Sequence, residues 1–254
     1  MTKRLPESLL RIPIAHRALH DVRNGTVETS LSAIRAAIEA GYGIEIDVQQ
    51  SADGQAMVFH DYELDRLTNE SGLVRERSAE ELGRIALKQG NEGIPRLQEV
   101  LEIVAGRVAL LVEIKDQARD HGLGRGIGTL EQAVADAIEG YEGDVAVMSF
   151  NPHSLMAMQR LAPSVPRGLT TEDFVAAGSW HIPKERLAIL NEIDDYERAG
   201  ACIISHNHRH LSMPRVAELK AAGAAVLCWT VRSPEEEADA RRIADNITFE
   251  GYRA

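Results

Sequence analysis

Short apolar runs alternate with amphipathic segments along most of the chain, and the two patterns predict strands and helices in turn. Strand-like runs in the first half include Ile12–Ala18, Ile44–Gln49 and Val108–Lys115. Between the first two, residues Thr29–Ala40 place their apolar side chains on one helical stripe. The alternation continues to a last strand, Ile247–Phe249. This order predicts an α/β protein.

The strand-like run Ala56–Phe59 follows Ile44–Gln49 after only Ser51-Ala52-Asp53-Gly54, which is too short to hold a helix. A hairpin centred on this turn would place residue 45 opposite residue 60. A parallel arrangement with an extended return would also bring both residues to the same end. With these two runs sharing one short connection, the pattern gives eight strands and predicts a (β/α)8 barrel, the TIM-barrel fold.

Residues 62–95 interrupt the alternation. The segment is rich in Glu and Arg and contains one helix candidate, Ala79–Ile85. Its polarity predicts that it cannot bury a core of its own. We therefore expect a small insertion after the third strand, at the barrel mouth, within a single domain spanning residues 1–254.

Charge and composition narrow the class of protein. The 254-residue chain is 44% apolar and carries a net charge of −11, which argues against nucleic-acid partners. Its N-terminal residues lack the apolar stretch of a signal peptide, and no run approaches a membrane span. Cys202 and Cys228 lie in apolar runs and are predicted to be reduced thiols. These features predict a cytoplasmic protein and leave open whether it forms a homo-oligomer.

Polar residues follow or close four of the apolar runs in the first half of the chain. Charges and imidazoles at the ends of buried strands are costly unless they have a role. Active sites of parallel barrels form at the carboxyl ends of the strands. We therefore expect one converging set: His16-Arg17, Glu45 with Asp47, His60-Asp61, and Glu113 with Lys115.

The residue types in this set predict metal-assisted phosphoester chemistry. Three carboxylates form an oxygen-rich site that suits Mg²⁺ or Ca²⁺, whereas Zn²⁺ would need more His or Cys ligands. Two histidines can act as acid and base near neutral pH. An arginine and a lysine can neutralise phosphoryl oxygens.

The motifs resemble those of the glycerophosphodiester phosphodiesterase family, whose pattern is His-Arg-Gly, Pro-Glu-Asn-Thr-Leu, Glu-x-Asp-Val, Asp-Gly and His-Asp. In the same order this chain has His16-Arg17-Ala18, Val27-Glu28-Thr29-Ser30-Leu31, Glu45-Ile46-Asp47-Val48, Asp53-Gly54 and His60-Asp61. Further matches around Glu113, Ser149-Phe150 and Trp229 extend the resemblance over almost the whole chain.

The resemblance implies a TIM barrel that hydrolyses glycerophosphodiesters to sn-glycerol 3-phosphate and an alcohol, with a divalent cation, Mg²⁺ or Ca²⁺, as cofactor. It implies that the cation ligands are Glu45, Asp47 and Glu113, and that His16 and His60 are the acid and base. By the same resemblance, the residues around the substrate are Arg17, Glu28 and Lys115 at the phosphate and Trp229 at the glycerol.

The chain departs from the family pattern at three places. Ala18 replaces a glycine, which predicts that the backbone there needs no conformation that only glycine tolerates. Val27-Glu28-Thr29-Ser30 lacks the proline and the asparagine of the family motif. Thr248-Phe249-Glu250-Gly251 stands where the family usually has Thr-Asp-x-Pro. The alcohol group, and the choice between a cyclic phosphate and direct attack by water, stay open.

Three alternatives also remain. The carboxylates and histidines suit a divalent-metal sugar isomerase barrel, although that chemistry has no need of Arg17 or Lys115. Ala18 and the altered segment Val27–Ser30 would suit a barrel that binds glycerophosphodiesters without turnover. His206, His208 and His210 could hold a second metal, although a loop at the barrel rim is the simpler interpretation.

Overall fold

A computed structural model describes residues 5–118, 126–178 and 182–254. The regular elements are α1 (Glu7–Arg11), β1 (Ile14–Ala15), α2 (Leu31–Ala40), β2 (Gly43–Gln50), β3 (Ala56–Val58), α3 (Ala79–Arg84), α4 (Leu97–Val104), β4 (Leu110–Ile114), α5 (Thr129–Ile138), β5 (Val145–Ser149), α6 (Pro152–Leu161), β6 (Arg167–Thr171), α7 (Lys184–Asn191), β7 (Ile203–Asn207), α8 (Pro214–Ala221), β8 (Ala225–Val231), α9 (Pro234–Ala240) and β9 (Asn246–Phe249). Within the described ranges, every helix is too short or too polar to cross a bilayer.

Eight of the nine strands in the described part of the chain form a closed parallel barrel. Their order is β1, β9, β8, β7, β6, β5, β4, β2, and pairing of β1 with β2 closes the ring. Helices lie between consecutive barrel strands and pack against their outer face. The predicted (β/α)8 barrel is confirmed.

The short turn after β2 forms a hairpin, which settles one alternative left open by the sequence. β3 pairs antiparallel with β2, with Val48 opposite Val58. Continued beyond Val58, this register places residue 46, and not 45, opposite residue 60. β3 is therefore a ninth strand outside the parallel barrel, because a turn of a few residues cannot make a parallel crossover.

Several element bounds differ from the sequence pattern. The predicted strand Ile12–Ala18 is reduced to β1, since the backbone turns away after Ala15. α2 begins at Leu31 and not at Thr29, because the Ser30 hydroxyl accepts a hydrogen bond from the Ala33 N–H and caps the helix. The sequence pattern predicts a further helix around Arg186–Arg198, and the structure ends α7 at Asn191, where the chain enters turns.

The apolar core has two layers, one inside the barrel and one between the strands and the helices. Inside the barrel, Leu111, Met148 and Leu227 pack with Leu5 and Leu9 from the N-terminal segment. This packing closes the amino end of the barrel with apolar side chains. The interior is left polar at the opposite, carboxyl end.

The insertion packs against β3 and shares a small apolar cluster with it. Leu64, Leu82 and Ile94 are fully buried together with Met57 and Phe59. The few apolar residues of the insertion thus combine with the face of β3 that the barrel leaves uncovered, and they do not form a core by themselves. The insertion is thereby fixed beside the barrel mouth.

Candidate active site

A cavity of about 190 Å³ lies at the carboxyl end of the barrel, and we call it the catalytic cavity. Eight of the nine site residues expected from the sequence line it, and Glu28 does not. The eight are His16, Arg17, Glu45, Asp47, His60, Glu113, Lys115 and Trp229. His60 reaches it because the Phe59 N–H donates to the Asp47 backbone oxygen at 3.0 Å, which returns the chain after β3 to the mouth.

Three buried carboxylates form the floor of the catalytic cavity. Glu45 and Asp47 are two residues apart on β2 and therefore share the interior face, and Glu113 is the register partner of Asp47 on β4. One oxygen from each of the three carboxylates lies within 4.8 Å of the others. The strands thus hold the three carboxylates in one rigid group.

Burial and mutual repulsion shape the ionisation of this group. Burial, with the neighbouring carboxylates, raises the pKa of Glu45 well above its ordinary value, and burial raises the pKa of Glu113. Burial opposes ionisation of Asp47 as well, but Lys115, His60 and Arg17 outweigh it and lower the pKa of Asp47. The site therefore carries negative charge that a cation would relieve.

Lys115 supplies part of this compensation. Its ammonium Nζ lies 2.6 Å from Asp47 Oδ1 and 2.5 Å from Glu113 Oε1. Burial alone would lower the pKa of Lys115, but the two carboxylates raise it above its ordinary value. Lys115 is thus held as a cation by two carboxylates of the site, and the resemblance assigns it to the phosphate.

The donor set also fits a divalent cation. Asp47 Oδ2 is buried and has no hydrogen-bond partner among the described residues. The three carboxylates converge as oxygen ligands, the type that Mg²⁺ and Ca²⁺ prefer. An unpartnered buried oxygen is costly unless something binds it.

Each of the two histidines is hydrogen-bonded to a carboxylate. His16 Nδ1 lies 2.6 Å from Glu250 Oε2, and His60 Nδ1 lies 2.6 Å from Asp61 Oδ1. Burial lowers the pKa of His16, and the hydrogen bond to Glu250 opposes this shift. A carboxylate on one ring nitrogen fixes the orientation of the imidazole and leaves the other nitrogen for proton transfer.

Glu28 lies behind Arg17 and not in the catalytic cavity. It accepts a hydrogen bond from Arg17 Nη1 at 2.8 Å and two from Arg66, at 2.7 and 2.9 Å. Arg66 also donates from Nε to Asp61 Oδ2 at 2.6 Å. This chain of ion pairs links Arg17 to the partner of His60, with Arg66 of the insertion at its centre.

The backbone at Ala18 contradicts the expectation from its sequence. Arg17 and Ala18 have φ values of +53° and +64°, in the left-handed region that favours glycine. The Arg17 N–H donates to Glu45 Oε2 at 2.9 Å, and the Ala18 N–H donates to the Glu45 backbone oxygen at 3.0 Å. The conformation is required here, and the alanine adopts it at a cost in strain.

Trp229 lies at the edge of the catalytic cavity, near the end of β8. Its indole Nε1 donates to the Ser205 backbone oxygen at 2.8 Å. The edge of its ring system meets Phe150, with centroids 5.5 Å apart. The indole is therefore fixed as a wall of the site.

The three histidines near β7 do not come together as a ligand set within the described part of the chain. His206 Nδ1 lies 2.7 Å from the Thr171 hydroxyl, and His210 accepts a hydrogen bond from the Asp173 N–H. His208 Nε2 lies 3.9 Å from Glu236. Each ring points to a different neighbour, which favours the simpler interpretation as a structured rim.

Four residues make contacts at the site that the sequence pattern does not predict, although Asp61 was expected in the converging set. Asp61 and Glu250 hold the histidines, Arg232 pairs with Glu250 at 2.6 Å, and Arg66 joins Glu28 to Asp61. Glu250 could have been found by applying the strand-end rule to the last strand. Arg66 carries no comparable signal, because it lies in the irregular insertion.

Together, the closed barrel and the polar side chains at its carboxyl end define a class of protein, the (β/α)8 barrels with a candidate cation and phosphate site at the mouth. The sequence model of the glycerophosphoryl diester phosphodiesterase family matches residues 16–246. The chain belongs to this family.

Two curated relatives carry the name glycerophosphodiester phosphodiesterase. The protein of Caldanaerobacter subterraneus is 36% identical over 166 residues, which cover 61% of this chain and 65% of the relative. The protein of Bacillus altitudinis is 34% identical over 170 residues, covering 63% and 66%. The chain thus matches just under two thirds of the length of each.

Solved structures show the same fold. A phosphodiesterase of Oleispira antarctica, in complex with the product sn-glycerol-3-phosphate, superposes with a TM-score of 0.76 at 22% identity. The superposition covers 96% of this chain and 94% of that one. A glycerophosphodiester phosphodiesterase of Thermotoga maritima gives a TM-score of 0.69 at 22% identity, with 94% of each chain covered.

Proposed function

We propose that this chain hydrolyses glycerophosphodiesters to sn-glycerol 3-phosphate and an alcohol, with a divalent cation. One observation carries the proposal: three converging carboxylates, two carboxylate-bound histidines and two basic side chains line a single cavity of about 190 Å³. A phosphodiester needs charge neutralisation, a base for the attacking hydroxyl and an acid for the departing alkoxide. The cavity contains groups of each kind.

Glu45, Asp47 and Glu113 would hold the cation, with Asp47 Oδ2 available as a ligand. Bound there, the cation would act as a Lewis acid on the phosphoryl oxygens. Lys115 balances the remaining charge of the site, since it contacts Asp47 and Glu113 directly.

Arg17 would bind the phosphoryl group. Its guanidinium Nη1 is anchored on Glu28, and its Nε is buried without a hydrogen-bond partner among the described residues. Because Nε lies 3.8 Å from Asp47 Oδ2, it can donate to an oxygen placed beside the carboxylates. The ion pair with Glu28 fixes the guanidinium group of Arg17 before substrate binds, so little side-chain entropy is lost on binding.

His16 and His60 would be the proton-transfer groups. One would take the proton of the attacking hydroxyl, and the other would donate a proton to the leaving alkoxide. Glu250 and Asp61 hold one ring nitrogen of each. The carboxylates stabilise the imidazolium that forms at whichever ring accepts a proton. Attack by a glycerol hydroxyl or by water is compatible with this arrangement.

The relatives support this activity over a sugar isomerase, since those described above are named as phosphodiesterases. A barrel that binds without turnover is also disfavoured. Both histidines and all three carboxylates line the catalytic cavity despite the departure at Ala18.

The test is an assay of sn-glycerol 3-phosphate release from several glycerophosphodiesters. We expect turnover that EDTA abolishes and that added Mg²⁺ or Ca²⁺ restores. Turnover that is insensitive to EDTA would refute the proposed role of the divalent cation. Binding of glycerophosphodiesters without any release of sn-glycerol 3-phosphate would refute the catalytic proposal as a whole.

A further inference from the structure

A second cavity, of about 550 Å³, adjoins the catalytic cavity at the barrel mouth. The two cavities share His60, Glu113, Lys115 and Phe150 in their walls. A phosphodiester has two arms on one phosphorus atom. A phosphate in the catalytic cavity with one arm near Trp229 would direct the other arm past His60 into the second cavity.

The second cavity is strongly acidic. Its described lining contains five carboxylates and two basic side chains. Both basic side chains are already paired: His60 with Asp61, and Lys115 with Asp47 and Glu113. An anionic group in this cavity would meet repulsion that these paired cations do not offset.

Glu172 is the carboxylate most clearly available to a ligand. It follows β6, where Leu169 belongs to the outer core, so the alternation of the strand places Gly168, Thr170 and Glu172 on the interior side. Its Oε2 accepts a hydrogen bond from Asn207 Nδ2 at 3.3 Å. In the ranges that the structure describes, Glu172 forms no ion pair with a Lys or Arg.

Aromatic rings form the facing wall of the second cavity. Phe150 and Phe174 both line it, with centroids 6.3 Å apart and planes at 81°. Phe150 is held in turn against Trp229. Aromatic rings beside a carboxylate are the combination that binds organic ammonium groups, through cation–π and ionic attraction together.

We propose that the second cavity binds the alcohol arm of the substrate and selects alcohols that carry an ammonium group, with Glu172 as the residue that determines this specificity. The inference rests on the proposed function and names the substrate class within it. Ethanolamine and choline have the required chemistry, whereas glycerol and inositol lack the charge.

The first test compares substrates on the unmodified protein. We expect kcat/KM for glycerophosphoethanolamine to exceed that for glycerophosphoglycerol by roughly tenfold, which corresponds to ~1.4 kcal/mol. The preference should shrink as salt is raised, because the ammonium–carboxylate attraction is screened. A ratio of kcat/KM for glycerophosphoethanolamine to kcat/KM for glycerophosphoglycerol of one or less would overturn the inference, and this result needs no variant.

The second test changes the charge and keeps the shape. In Glu172→Gln, the ratio of kcat/KM between the two substrates should fall close to one. The matched control is Glu142→Gln, which removes the same charge from an exposed position in the loop before β5, at the opposite end of the barrel. The control should keep the ratio of the unmodified protein, and a ratio that survives in Glu172→Gln would overturn the inference.

The two proposals fail in different ways. If no glycerophosphodiester is turned over, the proposed function is wrong and the inference falls with it. If all are turned over without preference for the ammonium substrates, only the inference is wrong. Thermal unfolding of both variants, compared with the unmodified protein, shows whether a lost ratio reflects loss of the fold.

Discussion

The barrel strands hold polar residues at the mouth in two ways, and β1, β2 and β4 form one group while β7 forms the other. In the first group, His16, Asp47 and Glu113 face the interior and contact the ionisable side chains of Glu250 and Lys115. At the end of β7, His206 is fully buried and its partner is the Thr171 hydroxyl. Alternation along β7 places His206 with Ile204 on the face that packs against the helices.

The difference shows what a polar strand end means. Burial lowers the pKa of both His16 and His206, but at His16 a carboxylate partner in the cavity opposes the shift. His206 has no carboxylate partner among the described residues, and burial lowers its pKa to about 4, so that its ring is neutral at pH 7. A histidine at a strand end is suited to proton transfer only when the strand directs it inward and a carboxylate holds it. His16 and His60 meet this condition and His206 does not.

Substitution of the histidines should give the largest effect. His16→Ala and His60→Ala should each lower kcat by about 10³-fold, or ~4 kcal/mol, because each removes an acid or a base. His206→Gln should change kcat by less than about threefold. Initial rates of sn-glycerol 3-phosphate release measure all three, and similar losses at all three positions would remove the distinction between the two groups of strands.

Acid stability should report the neutral state of His206. Its pKa is about 4 in the folded chain and 6.5 without burial, so protons bind more tightly to the unfolded state. The stabilisation is complete above pH 6.5 and is lost as the pH falls towards 4, by about 3 kcal/mol. Urea unfolding at several pH values should show this slope in the unmodified protein relative to His206→Gln, and parallel pH profiles would contradict it.

Substitution of Arg66 tests whether its ion pairs with Glu28 and Asp61 matter for turnover. Arg66→Ala should lower kcat by about 10- to 100-fold, because Glu28 and Asp61 lose the group that fixes them. Arg66→Lys should rescue little, since a lysine cannot replace the bidentate contact with Glu28. The control is Arg84→Ala in the same insertion, which breaks only an exposed pair with Glu80 and should leave kcat unchanged. A comparable loss in both alanine variants would show a general effect of the insertion.

The smallest expected effect concerns the strained backbone after β1. Ala18→Gly should raise the free energy of unfolding by about 1 kcal/mol, because glycine adopts a positive φ without steric cost. Ala217→Gly, at an exposed position inside α8, should lower it by about 1 kcal/mol. Urea unfolding measures the free energy of unfolding of both variants. Destabilisation by Ala18→Gly would contradict the claim that the backbone at Ala18 is strained.

The sequence predicted much of the fold because strand and helix periodicities are local signals. The position of β3 outside the ring could also have been inferred, because the short turn before it excludes a parallel crossover. The left-handed backbone of Ala18 could not be predicted. That conformation is imposed by hydrogen bonds to Glu45, a residue distant in sequence.

The residues of the candidate site also divide into those that the sequence could predict and those that it could not. Groups on regular strands, such as Asp47 and Glu113, were predictable, because strand alternation fixes their direction. Glu28 was predicted at the phosphate, but its position behind Arg17 depends on Arg66 from an irregular segment. Contacts between distant loops depend on tertiary packing, which periodicity does not encode.

The proposed chemistry depends most on the three carboxylates at the base of the catalytic cavity. Calorimetric titration of Mg²⁺ or Ca²⁺ into chelator-treated protein tests them directly. We predict one binding site per chain in the unmodified protein and none in Asp47→Asn. Asp136→Asn, an exposed change on α5, should bind as the unmodified protein does. Equal binding by Asp47→Asn and the unmodified protein would contradict the account.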